Sequence, residues 1–145
     1  MKGRGFRVSH VVPSSILAVV VLVTFTVLRS FGPESTIRLF HQAVVSSNLQ
    51  EMSELTEEKN PSDPSVMVLA QRVSYLTDRL GARYTIRRSY RDPREPARVY
   101  AAVEYRLSGA PPVAMVYVVD RSPGKSGWVV NSRLTQRANA FASGL

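Results

Sequence analysis

The chain has 145 residues, a formal net charge of +8 from 19 Lys and Arg against 11 Asp and Glu, and no cysteine. This length fits one domain and excludes a (β/α)8-barrel enzyme or a two-domain dinucleotide enzyme. The lack of cysteine excludes disulfides, thiol catalysis and iron–sulfur clusters, and the two histidines are too few for a His-rich metal site. The basic charge leaves nucleic acid, an anionic membrane surface and an acidic protein as classes of partner.

An uncharged apolar segment lies near the amino terminus, at residues 11–28. Twelve of its eighteen residues are Val, Ile, Leu or Phe. As a helix it would be about 27 Å long, close to the ~30 Å hydrocarbon core of a bilayer. We therefore predict a transmembrane anchor helix over residues 11–29. The residues assigned to the anchor are Ile16, Leu17, Val20, Leu22, Val23, Phe25 and Leu28.

The charges that flank this segment predict its orientation. Lys2, Arg4 and Arg7 precede it, within a basic start at residues 1–10. The positive-inside rule places that start in the cytoplasm and the rest of the chain in the periplasm or outside, for a protein of the bacterial inner membrane. Two alternatives have less support. A cleaved signal peptide would show a small-x-small cleavage site after the apolar run, and an organelle transit peptide would be amphipathic.

The segment from Pro33 to about Glu57 is predicted to form a long helix, a bend at Asn48 and a shorter helix. Its apolar residues recur at helical spacing: Ile37, Phe40, Ala43 and Val44 before the bend, and Leu49, Met52 and Leu55 after it. A loop at residues 60–64 then precedes a third helix, which is expected to end at Gly81 because glycine suits a left-handed helix terminator.

After Gly81 the apolar residues recur at every second position, which predicts four strands. They are placed at Tyr84–Ile86, Val99–Leu107, Val113–Asp120 and Trp128–Leu134. Short breaks rich in Pro or Gly join them, as between antiparallel neighbours. The predicted fold class is α+β: an N-terminal transmembrane helix, then two or three helices packed on a four-stranded antiparallel meander sheet. Residues 30–135 are the predicted outer domain, and residues 136–145 are a C-terminal tail without a clear pattern.

This order of elements resembles the nuclear transport factor two-like (cystatin-like) superfamily over roughly Pro33 to Thr135. The similar parts are the helix, bend and second helix at residues 37–43 (IRLFHQA) and 47–52 (SNLQEM), and the closing strand at residues 127–130 (GWVV). The resemblance implies a cone-shaped α+β fold, whose members include isomerases, dehydratases, pocket binders, dimerisation modules and scaffolds. Bacterial single-pass members include assembly subunits of type IV secretion systems. This chain is shorter than those and lacks a motif that aligns with them.

Few residues are placed for the acid–base chemistry that an isomerase or dehydratase of this fold requires. Glu104 is interpreted as solvated or ion-paired, since Arg106 lies two residues along the same face, and Asp120 as a turn residue. His41 is interpreted as a surface or interface histidine. The GKS segment at residues 124–126 lacks the upstream glycine of a phosphate-binding loop. We therefore predict no catalytic residue, no cofactor, no nucleotide and no metal.

Four aromatic residues are the candidates for lining a small-ligand pocket inside the cone: Tyr75, Tyr105, Tyr117 and Trp128. A pocket of this kind would hold its ligand through apolar walls and a few polar groups. We favour the alternative that these residues are core aromatics.

Arginine is concentrated in the first half of the predicted sheet. The candidate docking patch consists of Arg83, Arg87, Arg88, Arg91, Arg94 and Arg98. One interpretation is a solvated edge that discourages strand addition. Another is a docking site for an acidic protein or for lipid headgroups. The interleaved Tyr84, Tyr90 and Tyr100 are compatible with nucleic acid, which the predicted outer location disfavours.

The predicted function is that of a non-enzymatic single-pass membrane protein. It would be an accessory or scaffold subunit whose extracytoplasmic α+β domain docks on a larger membrane protein complex. This prediction rests on the anchor, the lack of a convincing acid–base set, and a domain with an acidic helical half and a basic sheet half. The alternative is a membrane-tethered domain that binds a small ligand, or a small enzyme, using the cone-shaped pocket.

Overall fold

The computed structural model describes residues 32–122 and 127–140. These residues belong to one compact unit of the chain, Phe31–Leu145. The elements in chain order are α1 (Pro33–Val45), α2 (Leu49–Glu54), α3 (Pro64–Ser74), a π-helical turn (Tyr75–Arg79), β1 (Arg83–Arg91), β2 (Arg98–Arg106), β3 (Val113–Ser122), β4 (Gly127–Val130) and α4 (Ser132–Ala140). The domain is therefore α+β, with helices before and after a four-stranded sheet.

The membrane-spanning part of the predicted fold class requires correction. Within residues 32–122 and 127–140, no helix is long and apolar enough to cross a membrane. The predicted anchor at residues 11–29, with its assigned residues from Ile16 to Leu28, lies outside the residues that the structure describes. The single-pass membrane assignment and the orientation derived from it are therefore not carried forward.

The first two helices meet at a tight bend, as the sequence predicts. Pro33 occupies the first turn of α1, where the missing N–H costs little. After α1 the backbone of Ser47 takes a left-handed conformation, with a φ of 54°. Asn48 then caps α2 by accepting a hydrogen bond from the backbone N–H of Glu51 at 3.2 Å. Helix α1 ends two residues before its predicted limit, because the bend already occupies those positions, and α2 ends three residues before its own.

The third helix begins as predicted and ends in an unexpected way. The carboxylate of Asp63 caps α3 by accepting from the backbone N–H of Ser65 at 2.9 Å. The last turn widens into the π-helical turn, in which the N–H of Leu80 donates to the carbonyl of Tyr75 at 3.1 Å. Gly81, with a φ of 62°, then ends the helical segment.

The sheet is the predicted antiparallel meander, in the order β1-β2-β3-β4. The helices cover one face, and the strand residues that face them are buried; on β2 these include Ala101, Val103 and Tyr105. The register between β1 and β2 shifts at Arg87, which forms a β-bulge. Strand β1 is longer than predicted and lies at the edge of the sheet.

The segment after β4 differs from the prediction. The fourth strand ends at Val130 instead of Leu134, and α4 follows it. Because β4 pairs only with the last four residues of β3, the earlier part of that strand edge needs other partners. Helix α4 supplies them: the Asn139 amide accepts from the Val116 N–H and donates to the Val116 carbonyl, each at 2.9 Å. Thr135 accepts from the N–H of Val118 at 3.0 Å.

Candidate functional site

One polar cluster lies in the buried space between the helices and the sheet. It consists of His41 from α1, Tyr84 from β1, Tyr105 from β2 and Tyr117 from β3; we call it the His–Tyr cluster. Tyr84 pairs directly with Tyr105 across the sheet, which brings the two side chains to the same face. The imidazole stacks on the Tyr84 ring with centroids 4.0 Å apart. His41 reaches the cluster because it lies one helical turn after the buried Ile37.

Hydrogen bonds define where the protons of this cluster lie. His41 Nδ1 is 2.8 Å from the carbonyl oxygen of Ile37, and this oxygen only accepts, so Nδ1 carries the proton. Nε2, at 2.7 Å from the Tyr105 hydroxyl, then accepts from it. The Tyr105 oxygen is also 2.7 Å from the Tyr117 hydroxyl, which must be the donor there. The protons therefore point in one direction, from Tyr117 through Tyr105 to His41.

Burial keeps the cluster neutral. It lowers the pKa of His41 to about 4, although the hydrogen bond to Ile37 partly opposes this effect. Burial also raises the pKa of the Tyr105 and Tyr117 hydroxyls well above the ordinary value. Each shift favours the uncharged form, so near pH 7 we expect an uncharged hydrogen-bonded cluster.

The burial of His41 shows that its interpretation as a surface or interface histidine is wrong. Its side chain is 2% exposed, so it is a core residue and not a surface or interface histidine. None of the four members of the His–Tyr cluster lines the cavities of about 460 and 230 Å³ that lie among the helices and beside β3. Because its members bond to and stack on one another, we interpret the cluster as a hydrogen-bonded part of the core.

The four candidate pocket residues are found in three different surroundings. Tyr105 and Tyr117 are fully buried and bonded to each other. Trp128, on β4, is half-buried and packs against the core. Tyr75 is 57% exposed and lines a groove between the helices. The structure therefore does not bring these four residues together around one cavity.

The outer face of the sheet carries ion pairs instead of a core. Arg87, at the bulge of β1, donates to both oxygens of Glu104 on β2, at 3.2 and 2.7 Å. Arg106 donates to the same carboxylate at 2.6 Å. These hydrogen bonds hold the pKa of Glu104 at about 2, well below its ordinary value. Glu104 is therefore ion-paired, as the sequence analysis expects.

A second ion pair fixes the other end of the same face. Arg98 donates to both oxygens of Asp120, at 2.8 and 3.1 Å, and also pairs with Glu95. The hydrogen bonds to Asp120 raise the pKa of the Arg98 guanidinium. Asp120 lies within β3 and also accepts from the Asn131 amide at 2.8 Å. The prediction that Asp120 is a turn residue is therefore wrong. It is a strand residue whose carboxylate accepts three hydrogen bonds.

The remaining four candidate arginines are exposed along the edge strand β1 and the turn after it; we call this set the basic surface. They are Arg83, Arg88 and Arg91 on β1, and Arg94 in the turn that follows it. Among the described residues, none of the four forms an ion pair, unlike Arg87 and Arg98. Beside them, the rings of Tyr90 and Tyr100 stack at 5.1 Å with an interplanar angle of 15°. The predicted arginine patch thus divides into two structural arginines and four that are available to a partner.

Sequence reasoning missed the contribution of Tyr84 to the His–Tyr cluster. The sequence signal for it is its position on the strand, in phase with Ile86, which is half-buried against the core. In the described part of the chain, no group of three or more His, Asp or Glu side chains is placed to hold a metal ion. Comparison of the chain with models of protein families, with curated proteins and with solved structures gives no match.

Proposed function

We propose that this α+β domain is a non-enzymatic interaction module, an accessory or scaffold subunit whose basic surface binds an acidic surface of a partner protein. The observation that carries the proposal is the separation of the arginines into two paired and four exposed residues. Exposed guanidinium groups bind carboxylates through two parallel hydrogen bonds. Charge complementarity of this kind sets the orientation and the rate of association between proteins.

The arrangement favours an acidic protein over a nucleic acid. Asp92, Glu95 and Glu104 lie among the arginines, where a regular row of phosphates would meet them. The stacked rings of Tyr90 and Tyr100 cover each other, which leaves less aromatic surface for bases. A protein surface with separate carboxylates avoids both difficulties.

The filled and hydrogen-bonded interior of the domain supports the proposal of a non-enzymatic role. The space between helices and sheet is filled by Phe40, Tyr105 and Tyr117, all with no exposed surface. The buried imidazole of His41 already has a partner on each ring nitrogen. A small enzyme or a ligand-binding domain that uses the interior of the cone therefore has less support. The resemblance to the nuclear transport factor two-like superfamily stays a prediction, and scaffolds are among the roles that it implies.

Charge reversal of the basic surface tests the proposal. The full chain is recovered from its source cells in three forms: wild type, Arg88→Glu/Arg91→Glu/Arg94→Glu, and the control Lys59→Glu/Arg72→Glu/Arg137→Glu. The control makes the same change of charge at exposed cations elsewhere in the domain. We expect wild type and control to recover the same partner, the first variant to lose it, and the interaction to weaken as salt increases.

Two results would contradict this proposal. One is recovery of the same partner, in equal amount, with both triple variants. The other is a wild-type chain that elutes alone and monomeric in size analysis at low salt. Far-UV circular dichroism confirms in each case that the variants are folded.

A further inference from the structure

A groove lies on the helical layer, away from the residues that form the basic surface. It has a volume of about 460 Å³, and residues from α1, α2, α3 and the π-helical turn line it. They are Val44, Ser47, Leu49, Met52, Met67, Ala70, Gln71, Ser74, Tyr75 and Arg79. This volume is in the range of sites for small organic ligands, about 300–1,000 Å³.

The groove is apolar at its floor and along part of its rim. Val44, Met52 and Ala70 are buried, with exposed fractions of 6%, 3% and 7%, and form the floor. Leu49 and Tyr75 remain 45% and 57% exposed at the rim. Exposed apolar groups that gather around a concavity mark a binding surface more often than scattered ones do. The methionines supply flexible thioether contacts that adapt to the shape of an apolar ligand.

One charged side chain lines this groove, and it is a cation. Arg79 is exposed and forms no ion pair among the described residues. Its neighbour Asp78 is not part of the lining, and the hydroxyls of Ser74 and Thr77 donate to its carboxylate at 2.8 and 3.3 Å. The guanidinium of Arg79 therefore has free donors at one end of an apolar groove.

Arg79 is the last residue of the π-helical turn and lines the groove together with Tyr75. Residues four apart share a side of an α-helix, and they stay on nearly the same side in a π-turn, which has about one more residue per turn. Tyr75 and Arg79 are four residues apart, at the two ends of the turn, and both line the groove. Turns of this type are uncommon and are found frequently at functional sites.

We propose that the groove binds one small amphiphilic carboxylate, with its apolar chain over Met52 and Met67 and its carboxylate on Arg79. The charge of Arg79 complements a single anionic head, and the apolar part of the lining complements the chain. A free fatty acid of medium length has this chemistry. The groove volume of about 460 Å³ lies within the range of sites that hold a ligand of this size.

Methionine methyl groups give a direct measurement of binding at this position. The chain contains four methionines, Met1, Met52, Met67 and Met115. Two line the groove, and Met115 lies in the core and lines a different cavity of about 230 Å³. The full chain, labelled with ¹³C-methyl methionine in detergent-free buffer, is titrated with decanoate below its micelle concentration. Each resonance is assigned with a Met→Leu variant.

We expect saturable shifts of the Met52 and Met67 resonances and no shift of Met115. 1-Decanol, which has the same chain without the charge, should bind about tenfold more weakly. Arg79→Gln should weaken decanoate binding to the level of decanol and leave decanol binding unchanged. Arg72→Gln changes an exposed cation about two helical turns before Arg79 that does not line the groove. It is the matched control and should have no effect.

Three results would overturn the proposal. The first is the absence of saturable shifts at Met52 and Met67. The second is equal affinity of wild type and Arg79→Gln for decanoate. The third is a ligand-free chain that self-associates in sedimentation experiments and becomes monomeric on Gln71→Trp, because the groove would then be an interface between copies of the chain.

Discussion

The two faces of the sheet hold their polar groups in opposite ways, and β2 carries both arrangements on alternate residues. On the helix side, burial moves the pKa of His41 down and that of Tyr105 up, so both groups stay uncharged. On the outer side, hydrogen bonds between opposite charges move the pKa of Glu104 down and that of Arg87 up, so both stay charged. Burial on one face and pairing with an opposite charge on the other thus decide which form of neighbouring polar groups on β2 is stable.

The largest expected difference between the faces is in packing. Tyr105→Ala removes a fully buried ring and a hydroxyl with two partners, and should lower the free energy of unfolding by about 3–5 kcal/mol. Tyr90→Ala makes the same chemical change on the outer face, where the side chain is 57% exposed, and should cost less than about 1 kcal/mol. Urea unfolding of both variants measures this difference.

Equal losses of unfolding free energy in Tyr105→Ala and Tyr90→Ala would contradict this difference between the two faces. Tyr105→Phe refines it, because that variant keeps the ring and removes only the hydroxyl. It leaves His41 Nε2 without its donor, so we expect a loss of about 1–3 kcal/mol.

The helix side should also make the domain sensitive to mild acid. The pKa of His41 is about 4 in the folded chain and near 6.5 when unfolded, so the unfolded state binds the proton more readily. Stability is then complete above pH 6.5 and decreases as the pH falls toward 4, by up to about 3 kcal/mol. Urea unfolding at pH 7, 5.5 and 4.5 measures the slope.

His41→Gln provides the control for this pH dependence. The amide keeps hydrogen-bonding capacity but does not titrate, so its stability should be lower at pH 7 and nearly constant between pH 7 and 4.5. The pKa values of Glu104 and Asp63 are lowered, which places their titrations below this interval. If the stability of His41→Gln decreased with pH as steeply as that of wild type, another group would cause the acid sensitivity.

The third expected effect concerns the edge of β3 whose backbone is hydrogen-bonded by side chains of α4. Asn139→Ala removes the side chain that bonds both the N–H and the carbonyl of Val116. Two backbone groups then lose their partners, and we expect a loss of about 1–3 kcal/mol. Arg137→Ala, at an exposed position on the same helix, is the control and should be within about 0.5 kcal/mol of wild type. Faster hydrogen exchange at the Val116 amide in Asn139→Ala would locate the effect.

The same helix shows where sequence patterns were insufficient. The buried side of α4 is polar, since Ser132, Thr135 and Asn139 have exposed fractions of 0%, 0% and 3%. A search for apolar periodicity does not detect such a face, although the residues recur at helical spacing. The first three helices and the strands were predictable because their buried faces are apolar. The apolar residues recur every three or four residues in the helices and every second residue in the strands.

The candidate site was predictable only in part for a related reason. The spacing of four residues between Ile37 and His41 already places the histidine on the apolar face of α1, a signal that the interpretation as a surface residue neglected. Its partners Tyr105 and Tyr117 come from two other elements, and their meeting depends on strand register. The division of the arginines depends on the bulge at Arg87 and on the register that places Arg98 opposite Asp120, which no local pattern reveals.

The smallest expected effect tests the ion pairs of the outer face. Glu104→Gln removes the charge that Arg87 and Arg106 share. It should lower the unfolding midpoint less than the changes above to Tyr105, His41 and Asn139, because exposed ion pairs are screened by water and salt. The difference from wild type should shrink toward zero in 1 M salt. It should also be complete above about pH 4.5 and disappear as the pH falls toward 2, since the folded pKa of Glu104 lies below the unfolded one. Glu54→Gln, an exposed carboxylate on α2, makes the same change of charge and serves as the control. If the Glu104→Gln difference persisted in 1 M salt, the carboxylate would act through desolvated contacts, and the outer face would resemble the helix side more than its exposure indicates.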